Sequence, residues 1–108
     1  LGCIAALLDT HIPTVEDGRV IYGELTKKKL PIMDKPVETT YAKIGNNIIL
    51  DPRLDEELVM DSRLTVATTE KGEICAMQKG GNGTFTQGEI LDIISKSKKK
   101  GKELRKYL

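Results

Sequence analysis

Five carboxylates fall within eleven residues of the stretch LDPRLDEELVMDSRL: Asp51, Asp55, Glu56, Glu57 and Asp61. Carboxylates this close can hold a divalent cation, share a proton, or face water. They cannot all be buried and ionised, because each unpaired buried charge costs several kcal/mol. The spacing is not that of a calcium loop, which alternates its ligands around a central glycine. On a short helix, Asp51 with Asp55 and Glu57 with Asp61 are i,i+4 neighbours, an arrangement open to a two-carboxylate magnesium site. The default alternative is a solvated turn with Arg53 and Arg63 as counter-charges. As an acid–base centre the cluster lacks an adjacent nucleophile or base.

Two other stretches invite a chemical reading. Gly80-Gly81-Asn82-Gly83 precedes a helix, where glycines let backbone N–H groups approach a phosphate. No Gly-Lys-Ser/Thr follows, so it is not a P-loop. It has the letters of a KH-domain GxxG, but that loop joins two helices and this one joins a strand to a helix. The bland reading is a connecting loop. The second stretch is basic: residues 86–108 hold seven Lys/Arg against three Asp/Glu, while the remainder is slightly acidic. Lysines there suit phosphate contacts that give affinity without sequence choice. Lys98, Lys99, Lys102 and Arg105 are the candidate RNA contacts, set against the commoner reading of a solvated helix face.

Metal and thiol chemistry find little support. His11 is the only histidine, and Cys3 and Cys75 are far apart with no CxxC. Zinc sites and Cys/His catalysis are therefore not expected. Both thiols are expected reduced, buried and small, which suits a cytoplasmic protein. With no Trp and one Phe, the core must be aliphatic and no aromatic platform for stacking bases is expected. No apolar run approaches the roughly 18–20 residues of a membrane span. The 108 residues fit one domain with a modest core, and a net charge of +1 points to no partner.

The elements that must position these residues follow from periodicity. Residues 1–11 read as an amphipathic helix stopped by Pro13, uncapped at its start as if the chain began inside it. Glu16-Asp17-Gly18 is a turn. Residues 19–36 read mostly as loop, with a short strand near Leu30–Met33. Residues 37–44 alternate as a strand, Gly45-Asn46-Asn47 turns, and 48–50 return. Asp51 is expected to cap a helical turn that opens with Pro52 and runs over 52–59. Strands are expected at 62–69 and 73–79, the latter covered on both faces because Ile74–Met77 is continuously apolar. Thr86 and Glu89 form a capping box. The helix it starts buries a stripe of Ile90, Ile94, Ser97, Gly101, Leu104 and Leu108. The expected class is α+β: a two-layer α/β sandwich, with an antiparallel or mixed sheet and helices on one face.

The order of motifs carries a resemblance. The block DPRLDEELVMDSRL, the stretch AMQKGGNGTF and the Lys-rich helix ending KELRKYL closely resemble the C-terminal domain of the archaeal exosome's non-catalytic ring subunit, a ribonuclease PH-like protein. The upstream IAALLDTHIP, VIYGELT and LPIMDKPV fit the same family, so the likeness spans essentially the whole chain. It implies a ribonuclease PH C-terminal domain-like fold over residues 1–108, without the N-terminal domain that holds most of the family's phosphate-binding residues. It implies a catalytic ribonuclease PH-like partner, a ring of three such heterodimers, and RNA degraded or extended at its 3′ end with phosphate. Catalytic members carry an essential Asp just before a strand, and Asp61 falls at the matching place. DSRLTV, however, replaces a more apolar run. The resemblance therefore implies that Asp61 is an inactive counterpart of a catalytic residue, with no catalytic residue, metal or cofactor in this chain. Two alternatives stand beside it: an active carboxylate-dependent nuclease or phosphorolytic exoribonuclease, and a free-standing RNA-binding module.

Overall fold

In the computed structural model, which describes residues 1–108, the elements run α1 (Gly2–Asp9), β1 (His11–Glu16), β2 (Arg19–Lys29), β3 (Val37–Ile44), β4 (Asn47–Leu50), α2 (Leu54–Val59), β5 (Ser62–Thr68), β6 (Ile74–Gly81) and α3 (Gln87–Leu104). A 3-10 turn at Arg105–Tyr107 follows α3. β3 to β6 form one antiparallel sheet in the order β4-β3-β5-β6. β1 and β2 form a separate two-stranded antiparallel ribbon.

Alternation builds the core. Val37, Thr39 and Tyr41 of β3 and Ser62, Leu64, Val66 and Thr68 of β5 are buried on the face that α3 covers. Tyr41, Leu64 and Val66 pack on Ile93 of α3, with Ile48, Phe85 and Ile90 around them. Burying each such large apolar side chain contributes about 1.5–3 kcal/mol. The helix lies close to the sheet because its inward residues below Ile93 are small. Thr39 Oγ1 donates to Ser97 Oγ at 2.9 Å, and a Cβ on Gly101 would stand 2.6 Å from Thr68 Oγ1. The buried stripe is thus Ile93, Ser97 and Gly101. It lies one position back from the expected line at its upper end, where Ile90 and Ile94 flank Ile93 half-buried.

Five expectations need correction. Residues 19–29 are a strand, not a loop, and Leu30–Met33 has no regular structure. Asp17 and Gly18 both take positive φ, 48° and 75°, the geometry of the two-residue hairpin turn whose twist matches the strands. The shifts in register beside Pro13 hide the alternation that would have revealed the ribbon. Pro13 therefore sits inside β1 and does not end a helix. β6 is exposed along nearly its whole length, not covered on both faces, because it is an edge strand and α3 packs on β3 and β5. Cys3 and Cys75 are both exposed, Cys75 because it sits on that edge strand and Cys3 because α1 buries none of its residues.

The ribbon gives the molecule its shape. Eleven residues of β2 extend over about 36 Å. The radius of gyration is 18.4 Å, against about 13 Å for a compact domain of this length. The core is correspondingly small, with 11 of 108 residues buried.

Candidate functional site

The acidic block does not converge. Asp51 takes φ 57° and ends β4, and the helix begins later than expected, at Leu54. Arg53, and not Asp51, stands at its N-terminus, and Arg53 N–H donates to Glu56 Oε2 at 2.8 Å. Asp55 pairs with the Arg53 guanidinium at 2.8 Å, in water. Glu57 is exposed. No three His, Cys, Asp or Glu side chains come together anywhere in the chain as a set of metal ligands.

Asp61 is occupied by its own backbone neighbourhood. Its Oδ2 accepts Gly45 N–H at 2.7 Å, across the β3–β4 turn. Its N–H donates to Lys43 O at 2.9 Å and its carbonyl accepts Gly83 N–H at 2.8 Å. Asp61 thus ties three segments: the β3–β4 turn, the entry to β5 and the loop after β6. The glycine loop is shaped to this tie. A Cβ on Gly83 would stand 2.8 Å from Asp61 Cβ, and one on Gly81 would stand 2.7 Å from Asp61 O. Gly81 also takes φ +82°, a conformation that glycine adopts without strain. These glycines serve close packing against Asp61. Arg63, expected as a counter-charge to the cluster, extends instead over Gly80, where a Cβ would stand 2.8 Å from its Nε.

Above the core, Lys43 of β3 reaches Glu89 of α3. Nζ lies 2.7 Å from Oε1 and 2.9 Å from Oε2, and it also donates to Thr84 O at 3.1 Å. Glu89 completes the capping box: its Oε2 accepts Thr86 N–H at 2.7 Å, while Thr86 Oγ1 accepts Glu89 N–H at 3.2 Å. The Lys43 ammonium, followed by the Thr86 N–H, holds the Glu89 carboxyl below its ordinary range. Lys43 also lies 5.8 Å from the centre of the Phe85 ring. This pairing joins helix to sheet and was missed from the sequence. Its signal was a lysine at an inward position of an alternating strand.

The basic face divides into two roles. Lys98, Lys99 and Lys102 are exposed and make no ion pair. Arg105 is half-buried, and its guanidinium donates to Thr68 O at 2.7 Å, to Thr69 O at 2.8 Å and to Lys35 O at 3.5 Å. Arg105 clasps the end of β5 and the approach to β3, so its donors are engaged within the fold. Lys96 pairs with Asp92 at 2.6 Å and Lys100 with Glu103 at 2.7 Å along the helix. No helix is long and apolar enough to cross a membrane.

Comparison with known proteins points one way. Residues 34–100 match the family model of the 3′ exoribonuclease family, domain 2. The chain is 46% identical to the exosome complex component Rrp42 of Methanothermobacter thermautotrophicus, and 48% identical to that of Thermococcus gammatolerans. Each match takes in 100% of this chain and 41% of the relative, so the chain spans about two-fifths of the length of these curated relatives. It also superposes, at a TM-score of 0.80 and 29% identity, on a chain of the Archaeoglobus fulgidus exosome with RNA bound to the active site. That match covers 96% of this chain and 39% of the other. An archaeal exosome core gives the same TM-score at 31% identity, covering 95% and 40%.

Proposed function

The chain belongs to the 3′ exoribonuclease family, whose domain 2 model matches residues 34–100, and from that premise we propose that it acts as a non-catalytic wall of an archaeal exosome ring. In this reading it pairs with a catalytic ribonuclease PH-like subunit, three such pairs close the ring, and the complex degrades RNA from the 3′ end with phosphate in the cytoplasm. The chain shapes the partner's active site and helps to hold RNA through Lys98 and Lys102, which are exposed and make no ion pair. Arg105 is left out of that role because backbone carbonyls occupy it.

The single observation that carries the non-catalytic part is the state of Asp61. The residue that the family resemblance aligns with a catalytic aspartate accepts Gly45 N–H at 2.7 Å and stitches three segments together. A carboxylate held in that way supports a structural role. The surrounding block supports it too, since Asp55 and Glu56 are engaged by Arg53 and by the start of α2. The names of the relatives support a place in an exosome complex, and the RNA bound to the active site of a structural neighbour supports the RNA substrate.

The test is assembly. This chain, co-expressed with an archaeal catalytic ribonuclease PH-like subunit, is expected to co-purify with it and to give a native mass of a multiple of the heterodimer. A partner that purifies without the chain, with the chain remaining a monomer, would count against the proposal.

A further inference from the structure

α3 lies across β3 and β5, and β4 extends beyond it as the edge of the sheet. The helix therefore overhangs a trough of about 380 Å³, floored by Tyr41, Ile48 and Leu50. These three share one face, because Tyr41 pairs with Leu50 and Lys43 with Ile48 across the strands. Lys96, Lys99 and Lys100 form the rim, with Glu103 beyond them. A second hollow of about 300 Å³ continues the trough past Leu50 and Lys100 to Leu104 and Asp51. From Lys96 to Leu104 the helix advances about 12 Å, the length of three to four residues of extended chain.

The chemistry of the lining selects the occupant. An aliphatic floor beneath a row of ammonium groups complements a chain that presents one aliphatic side chain and flanking carboxylates. Single-stranded RNA is the poorer fit, because bases are held by stacking on aromatic rings. The one aromatic in the trough, Tyr41, is 3% exposed. Lys99 carries no ion pair, and the exposed Lys96–Asp92 and Lys100–Glu103 pairs are of the weak i,i+4 and i,i+3 kind that a ligand can replace. Glu103 and Asp51 stand toward the Leu104 end, so the occupant's carboxylates gather at the Lys96–Lys99 end. β4, being an edge strand, lies open beside the trough for an extended segment to run along.

We propose that this trough docks an extended, acidic peptide segment of a partner protein, with an aliphatic anchor on Ile48 and Leu50 and carboxylates on Lys96 and Lys99. Selection from a random dodecapeptide library on this chain, with the Leu50→Glu variant as counter-target, tests it. Fluorescence polarisation of an enriched peptide then measures binding to wild type and variants. The expected peptides interleave Asp or Glu with Leu, Ile or Val. Leu50→Glu and Lys96→Glu each weaken binding at least tenfold, and unlabelled oligo(A) RNA does not compete. Lys96→Glu changes only an exposed helix residue, so it keeps the test decisive if Leu50→Glu disturbs β4. No enrichment over the counter-target, peptides without acidic residues, or binding unaffected by Lys96→Glu would each overturn the proposal. Displacement by oligo(A) would overturn it in favour of RNA. A chain that failed to join an exosome ring would leave this result standing.

Discussion

At the residue scale, several glycines of this chain serve close packing. Gly101 looks in sequence like a weakness of about 1 kcal/mol in the middle of a helix. In the fold it allows α3 to touch the buried Thr68 and leaves room for the Arg105 guanidinium, 3.2 Å from where a Cβ would stand. Gly101→Ala gains helix propensity but forces a 2.6 Å contact with a buried β-branched side chain, and overpacking of that kind costs about 1–3 kcal/mol. The net expectation is a loss of about 1 kcal/mol, a thermal midpoint lower by about 4–8 °C; a higher midpoint would contradict the packing account. Glu89 gives a pH signature. Its folded pKa is lowered, so its contribution is fully present above the ordinary carboxylate value of 4.5 and is lost as pH falls through the lowered value. The stability gap between wild type and Glu89→Gln should therefore be open at pH 7 and shrink by pH 3 in urea titrations. A gap that did not change with pH would remove the ion pair from the account. The capping box was legible because T-x-x-E is a local signal. The role of Asp61 was not, because Gly45 and Gly83 reach it only once three segments have met.

At the element scale, what was legible was what repeats locally. Val37–Ile44 and Ser62–Thr68 alternate cleanly, Gly45-Asn46 turns, and both strands were placed within a residue of their bounds. The β1–β2 ribbon was obscured because Pro13 and Gly23 interrupt its pattern, although Asp17-Gly18 is a strong hairpin signal flanked by Val15 and Val20. Continuous apolarity misled at Ile74–Met77, since an edge strand and a central strand can carry the same residues. The ribbon is also where the fold is weakest. Isolated two-stranded hairpins are marginal in water, and Val15, Val20, Tyr22 and Leu25 all lie more than half exposed. Amide hydrogen exchange should show β1 and β2 exchanging orders of magnitude faster than β3 and β5. Equal protection of ribbon and sheet in the isolated chain would show that the ribbon is packed more firmly than its exposure implies.

At the scale of the whole molecule, the shape argues for partnership. A body of 59 × 29 × 22 Å, with few buried residues and an exposed apolar ribbon, presents unusually much surface for its size. The charge is arranged in the same sense, with unpaired Lys98, Lys99 and Lys102 on one helix and Asp55, Glu56 and Asp61 of the acidic block engaged in local contacts. The central claim is that Asp61 holds the fold and that the acidic block around it does no chemistry. Phosphate-dependent release of nucleoside diphosphates from poly(A) tests it most directly, measured for this chain alone and for its complex with a catalytic ribonuclease PH-like subunit. The account predicts no release by the chain alone and equal release by complexes containing wild type or Asp61→Ala, once both are shown to be folded. Release by the chain alone that Asp61→Ala abolishes would contradict it.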